Sequence, residues 1–351
     1  MTETLISVQR LTEFCTRCLE RLGLAHRDAV LTSEAIVAAN LRGVDSHGVI
    51  RLKTYVDRLR AGSIKPHGEP AVIKEETAFA LLDGEAGLGQ VLSAKAMRLA
   101  IEKARAMTVA VVGVRNSSHF GAAAFYGLMA VEEGMIGLVA TNAGPTMAPW
   151  GGSLQLLGNN PLCVTVPAGR ERPVVLDMAT GAVSLGKIMV AMMEGKRIPL
   201  TWGFDGQWLP ADDPKAVIDG GAIQPLGGYK GYGLSMILDV LTGVLMGSNY
   251  STLVHSLHRS LDQPQGVGHI FAALRIESFI PLDEFKHRMD MLISLLKDCP
   301  RAPGTERVYV PGEIEAEIEI ERRHAGIPIN ARLEAVLNEL ARELDVAPLF
   351  A

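Results

Sequence analysis

Two histidines sit in settings suited to moving a proton at a small ligand. His47 lies in Arg42-Gly43-Val44-Asp45-Ser46-His47-Gly48-Val49-Ile50-Arg51-Leu52, and His119 in Arg115-Asn116-Ser117-Ser118-His119-Phe120-Gly121-Ala122-Ala123. Each follows a hydrophobic stretch and has small or glycine neighbours, which let a ligand approach the backbone. Histidine exchanges a proton near neutral pH, so it suits proton traffic at a carbonyl or alcohol. Arg51, four residues after His47, can clamp a carboxylate through parallel charge-assisted hydrogen bonds. On a helix, His47 and Arg51 would share one side. A capping histidine beside a surface arginine is the plainer reading, but Ser46 and Gly48 around His47 favour a ligand site. His119 ends a strand beside the polar run Asn116-Ser117-Ser118, which fits a solvated pocket better than a histidine satisfied by backbone. The chemistry implied is proton transfer at a carbonyl or alcohol next to a carboxylate.

The elements that must carry these groups follow from periodicity. Leu11, Phe14, Cys15, Cys18, Leu19 and Leu22 fall on one helical face behind a candidate N-cap, Ser7. A second helix runs through Ala35 and Ala38 and stops near Gly43, where the first histidine motif begins. Ala78–Leu82, Val109–Val114, Ile136–Ala140, Leu162–Val166 and Val174–Leu176 read as strands, and 94–106 as a helix. Strands alternating with helices predict an α/β core over residues 71–282. Asp283 can cap a helix carrying Phe285, Leu292 and Leu296. Leu333, Val336, Leu337, Leu340 and Leu344 mark a last amphipathic helix. Residues 1–70 with 283–351 are therefore expected to form a helical lobe.

Composition narrows the classes. The chain has 351 residues and a formal net charge of −5, with no basic stripe, which argues against nucleic-acid binding. Its first residues lack the basic start and apolar core of a secretory signal. The most apolar long stretch, Tyr232–Met246, is short for a membrane span and is interrupted by Asp239, so a buried helix is expected. The cysteines are Cys15, Cys18, Cys163 and Cys299, too scattered for a disulfide framework and in keeping with a reducing cytoplasm. Cys15 and Cys18 match C-x-x-C inside a helical pattern with no second ligand pair, so core cysteines one turn apart are expected rather than zinc. No metal is needed, since a histidinium can polarise a carbonyl.

Gly84-Glu85-Ala86-Gly87-Leu88-Gly89 follows a strand and precedes a helix, but Leu92 stands where G-x-G-x-x-G requires glycine. The next strand also runs into Arg115 rather than an acidic ribose ligand, so a tight structural turn is expected. Asn142-Ala143-Gly144-Pro145, Trp150-Gly151-Gly152 and Gly158-Asn159-Asn160-Pro161 suggest a rim of ligand-binding loops. Pro225-Leu226-Gly227-Gly228-Tyr229-Lys230-Gly231-Tyr232-Gly233 opens the most apolar helix, where glycines and Lys230 could receive a phosphate. It is not a Walker A sequence. His255 and His258, without H-E-x-x-H, read as a solvated or core pair rather than a metal site.

Taken in order, these motifs resemble the type 2 malate/L-lactate dehydrogenase family, also called sulfolactate dehydrogenase-like. The resemblance rests on Arg42-Gly43 with Ser46-His47-Gly48 and Arg51-Leu52, Ser118-His119-Phe120-Gly121, Pro149-Trp150-Gly151-Gly152, Gly158-Asn159-Asn160-Pro161, Asp177-Met178-Ala179-Thr180, Gly186-Lys187, and Gly228-Tyr229-Lys230-Gly231-Tyr232-Gly233. It covers nearly the whole chain. It implies a non-Rossmann α/β fold, a homodimer with the active site near the subunit interface, and oxidation of 2-hydroxy acids or reduction of 2-oxo acids with NAD or NADP, NAD being favoured. It implies His119 as the acid/base, Ser46, His47 and Arg51 as substrate ligands, and Ala143, Asp177, Met178, Ala179, Thr180, Lys230, Gly312 and Glu313 as cofactor contacts. The loop Asn142-Ala143-Gly144 departs from relatives that carry serine or aspartate there, and the loop at Phe204-Asp205-Gly206 is shortened. Rival readings are a reductase of cyclic imino acids, a ureidoglycolate dehydrogenase, or an inactive cofactor-binding protein on the same scaffold.

Overall fold

The computed structural model describes residues 3–66 and 68–350. Strand β1 (Glu3–Ile6) leads into helix α1 (Val8–Glu20), capped by Ser7, whose hydroxyl accepts from the Arg10 amide. Leu11, Phe14, Cys15, Cys18 and Leu19 bury its apolar face, as the periodicity predicts. α2 (His26–Leu41) follows, and Gly43 at φ +73° turns the chain out of it. Two single turns of 3-10 helix, Asp45–His47 and Val49–Arg51, then lead into α3 (Leu52–Arg60). His47 and Arg51 therefore stand on successive tight turns rather than on one α-helical face.

Next come β2 (Ala71–Glu75), β3 (Phe79–Asp83), α4 (Gly89–Met107), β4 (Val109–Ser117), α5 (Ala124–Glu132), β5 (Met135–Thr141), β6 (Leu162–Val166) and β7 (Val174–Met178). A small lobe follows, made of α6 (Leu185–Met193), β8 (Gly203–Phe204), β9 (Pro210–Ala211), α7 (Pro214–Ile218) and β10 (Ala222–Ile223). The chain closes with α8 (Tyr229–Asp239), β11 (Val267–Arg275), α9 (Leu282–Lys297), α10 (Glu313–Ala325), β12 (Ile327–Asn330) and α11 (Ala331–Glu343).

Seven strands form one mixed sheet in the order β2-β3-β4-β11-β5-β6-β7. Only β3 and β4 run parallel, joined by α4, and every other pair is antiparallel. That order is not doubly wound, and it explains why the glycine turn fails as a dinucleotide fingerprint. Instead the turn is backbone-stitched to β4: Gly84 N donates to Arg115 O and Ala86 N to Asn116 O. β1 pairs with β12, joining the two ends of the chain.

One continuous core runs from the terminal helices into the sheet, through Leu11, Tyr55, Leu337 and Leu340 to Val112 and Phe271. The small lobe has its own core of Met147, Val183, Ile188, Ile198, Val217 and Ile223. The segment Tyr232–Met246 corrects one expectation. Its α-helix ends at Asp239, a π turn spans Val240–Val244, and Met236, Ile237, Val244 and Leu245 are about half exposed. Apolar character alone cannot distinguish a core helix from one whose face awaits a partner. The helix expected after Asp283 begins at Leu282 with Pro281 at its cap, and it exposes Leu292 and Leu296. No helix among the described residues is long and apolar enough to cross a membrane.

Candidate active site

An open cleft of about 2570 Å³ runs between the end of the main sheet and the small lobe and continues over the faces of α2, α4 and α5. Ser46, His47, Arg51, His119, Ala143, Asp177, Met178 and Ala179 all line it. Motifs far apart in sequence thus meet on one surface.

His119 stands just past the end of β4. Its backbone amide donates to Gln265 Oε1 at 2.9 Å. The preceding Ser118 accepts from Gly89 N and donates to Gly87 O, both at 2.9 Å. Gly89 is required here, because a Cβ on it would lie 2.2 Å from Ser118 O and 2.6 Å from His119 O. The first turn of α4 therefore presses directly on the histidine's backbone. His119 Nδ1 lies 2.8 Å from the hydroxyl of fully buried Tyr55. Burial, then the neighbouring His47 ring and the Arg51 guanidinium, holds its pKa well below the ordinary imidazole value.

His47 lies across from it, the two rings nearly parallel with centroids 5.6 Å apart. Its Nδ1 is 2.9 Å from Ser46 Oγ. Burial and Arg51 lower its pKa to about 4, so the ring is neutral near pH 7. Arg51 Nε donates to Ser46 O at 2.6 Å, and Nη1 donates to His258 Nε2 at 2.7 Å. The acceptor role requires a neutral His258, and burial with Arg51 depresses that ring to about 4. Nη2 of Arg51 has no hydrogen-bond partner among the described residues.

The remaining expected residues divide into two groups. Asp177 is the penultimate residue of β7, reached by solvent from the cleft yet surrounded deeply enough that burial raises its carboxyl. Its Oδ2 accepts from Ala124 N at 2.8 Å and so caps α5. Thr180 is fully buried behind this wall, and its hydroxyl has no partner among the described residues. Lys230 is exposed on the first turn of α8 and does not line the cleft. Gly312, at φ +85°, packs against Val175, where a Cβ would come within 2.6 Å of the valine's own. Glu313 is buried between Lys297 and Arg307, away from the cleft lining. Tyr55, Gln265 and His258 are partners that sequence reading did not single out for the site. Their roles arise from pairings 64, 146 and 207 residues apart, which no local pattern signals.

A histidine pair, a partly committed arginine and a small-residue wall define the site of an oxidoreductase-like cleft, and the comparisons give that class a family. The family model described as malate/L-lactate dehydrogenase matches residues 6–338, so the chain belongs to that family and is a dehydrogenase. Malate dehydrogenase of Pyrococcus abyssi is 41% identical, covering 98% of this chain and 96% of that protein. L-sulfolactate dehydrogenase of Methanocaldococcus jannaschii is 37% identical over 93% of each. The solved malate dehydrogenase of Pyrococcus horikoshii OT3 superposes with a TM-score of 0.91 at 38% identity, covering 99% of this chain and 97% of that one. The mixed, non-Rossmann α/β fold is therefore that of the sulfolactate and malate dehydrogenases.

Proposed function

We propose that the chain is an NAD(P)-dependent 2-hydroxy-acid dehydrogenase, with NAD as the first choice. The observation that carries this reading is the stacked His47–His119 pair beside Arg51 in one cleft. The wall opposite fits a nicotinamide group. Ala143, Gly144, Ala179, Gly181 and Gly186 bring backbone to the cleft surface, and the buried Thr146 hydroxyl on that lining has no partner among the described residues. Ala143 and the Asp177–Thr180 segment would hold that group, with Lys230 and the Gly312-Glu313 turn acting at more remote parts of the dinucleotide. When bound, the nicotinamide supplies the hydride acceptor or donor.

The chain's own residues supply the rest. Arg51 binds the substrate carboxylate through Nη2, its other nitrogens being fixed by Ser46 and His258. His47, anchored at Nδ1 by Ser46, orients the substrate with Nε2. Tyr55 stays protonated, because burial raises its pKa. In the tautomer that donates Nδ1–H to the Tyr55 oxygen, Nε2 is the nitrogen that takes the hydroxyl proton in oxidation and returns it in reduction. The lowered pKa keeps this base neutral before substrate binds. A carboxylate on Arg51 offsets one of the positive charges that depress it, which aids the protonated form that reduction needs.

Turnover of pyruvate, oxaloacetate, sulfopyruvate and piperideine-2-carboxylate with NADH and NADPH tests the reading. Oxo-acid reduction supports it. Reduction of the cyclic imine alone would move the activity to imino acids, and no turnover with no shift in NADH fluorescence would leave an inactive scaffold. We also infer a cytoplasmic homodimer. The exposed row Met236, Ile237, Val240, Val244 and Leu245 supports the second copy, and free cysteines support a reducing compartment. Light scattering that shows a fully active monomer would rule the dimer out.

A further inference from the structure

The turns that carry Ser46, His47 and Arg51 have no α-helical hydrogen bonding of their own to hold them. Each is a single 3-10 turn, and Gly48 joins them. Their anchoring comes from outside. Asn40, 2% exposed at the end of α2, accepts from Val49 N at 2.7 Å and donates to Asp45 Oδ1 at 2.6 Å. Gly48 lies so close to this amide that a Cβ would fall 2.2 Å from Asn40 Oδ1. The second anchor is remote in sequence. Arg322, near the end of α10, donates from Nη1 to Asp45 Oδ1 at 2.7 Å and from Nη2 to Oδ2 at 2.9 Å. It also donates to the Asn40 carbonyl. Its side chain is 15% exposed, so the pair is largely sheltered on the arginine side. One turn back along α10, Glu319 pairs with Arg42 at 3.3 Å, and Ile318 packs over Gly43. At the other end of α10, Gly312 sits against Val175, and Val175 N donates to Pro311 O at 2.9 Å. The helix thus spans from β7, whose end carries Asp177, to the substrate turns.

We propose that Arg322 is a positioning residue for substrate binding: α10 acts as a strut, and its fork on Asp45 holds Ser46, His47 and Arg51 in their binding posture. This rests on the hydroxy-acid reading above. The fork touches neither His119 nor the cleft wall of Ala143, so it governs capture of the acid and not the proton step. A bidentate guanidinium on a carboxylate fixes orientation as well as distance, which a lysine cannot reproduce fully.

The test compares Arg322→Met, Arg322→Lys and Asp45→Asn in the full chain. For Arg322→Met, KM for the 2-oxo acid rises by about tenfold or more, while kcat and the dinucleotide Kd stay within about twofold. Arg322→Lys recovers part of the loss. Asp45→Asn shows the same kind of KM rise, and the Met/Asn double variant falls well short of the sum of the two singles, because they share the fork even though Asp45 also holds Asn40 and Arg322 also holds the Asn40 carbonyl. A purely structural role would lower the melting temperature and the active fraction without this split. An independent readout is the NMR titration of His47, assigned with His47→Gln. Burial and Arg51 hold the His47 pKa down, to about 4, and loss of the fork raises it as the turn loosens; a rise in Asp45→Asn, which removes a negative charge, cannot come from charge alone. KM within about twofold of wild type and an unmoved His47 titration overturn the proposal, and the titration decides where the two disagree. If wild type turns over none of the acids, the hydroxy-acid reading fails, while the titration still judges the strut. Should Arg322→Met not fold, Arg322→Lys and Asp45→Asn carry the same comparison.

Discussion

The two histidines of the cleft are held by opposite means. His119 extends from a strand in the middle of the main sheet, its backbone pinned by Gln265 and by the first turn of α4. His47 sits on isolated 3-10 turns, secured by side chains of Asn40 and Arg322. The first arrangement is fixed by packing against an interior that has little room to relax. The second is a sum of hydrogen bonds, each modest in net worth. A group that must move a proton at one atom gains from the rigid mounting. A group that captures and orients a ligand can sit on the adjustable one.

Substitutions on the two sides should therefore differ in kind. The largest effect is expected from His119→Ala, which removes the proton-transfer group and should lower turnover by about 10²–10⁴, or roughly 3–5 kcal/mol of barrier. Dinucleotide affinity and far-UV circular dichroism should not change. In wild type, oxidation should need neutral His119 and reduction its protonated form, so the two directions should show opposite pH limbs. Retention of more than about a tenth of wild-type kcat with the same limbs would transfer the proton step to another group, His47 first.

Arg51→Met comes next and should act on KM. Leaving a carboxylate without its charged partner costs about 2–5 kcal/mol. KM should rise steeply for every oxo acid tried, with cofactor binding unaltered. A KM within about twofold of wild type would show that Arg51 is not the clamp.

A third effect separates the rigid side by pH. His269 is fully buried on β11, stacked on Phe120 at 4.8 Å, with Nδ1 2.7 Å from Thr141 Oγ1 and Nε2 2.8 Å from Ser117 Oγ. Burial depresses its pKa from 6.5 to about 3. The unfolded chain then binds a proton that the folded one refuses between those values. The stability from neutral His269 is complete above pH 6.5 and is lost as pH falls toward 3, on the order of a few kcal/mol. Urea unfolding across this window should show a steeper decline for wild type than for His269→Asn. Equal slopes would mean that His269 does not contribute to acid lability.

How much of this was legible beforehand depended on whether a residue's meaning is local. Ser46, His47, Arg51 and His119 stood out because their glycine and serine neighbours are themselves part of the device. The α1 face and the β6 strand were readable because one period dominates each. β11 was not identified, although it lies at the centre of the sheet. Its run Val-Gly-His-Ile-Phe-Ala-Ala-Leu-Arg is apolar on both faces, so it lacks the alternation that marks a half-buried strand. Its place is set by pairing with β4 and β5, from more than a hundred residues away. Likewise nothing local in the sequence ties Asp45 to Arg322, 277 residues away. Their fork exists only after α10 has packed beside α2.

The smallest expected effect bears on the adjustable side. Ser46→Ala deletes the hydroxyl 2.9 Å from His47 Nδ1 but leaves the Ser46 carbonyl that receives Arg51 Nε. The arginine clamp should therefore persist while the imidazole loses its anchor. A hydrogen bond of this kind contributes about 0.5–1.5 kcal/mol net, so KM should rise by no more than about tenfold with kcat nearly unchanged. His119 is pinned from β4, α4 and Gln265, and none of those contacts involves Ser46, so the pH limbs of turnover should stay in place. If Ser46→Ala instead lowered kcat as far as His119→Ala and displaced those limbs, the two histidines would be acting as one proton-transfer unit. The 5.6 Å stacking of their rings would then be a catalytic coupling, and the division between a rigid chemical side and an adjustable binding side would not hold.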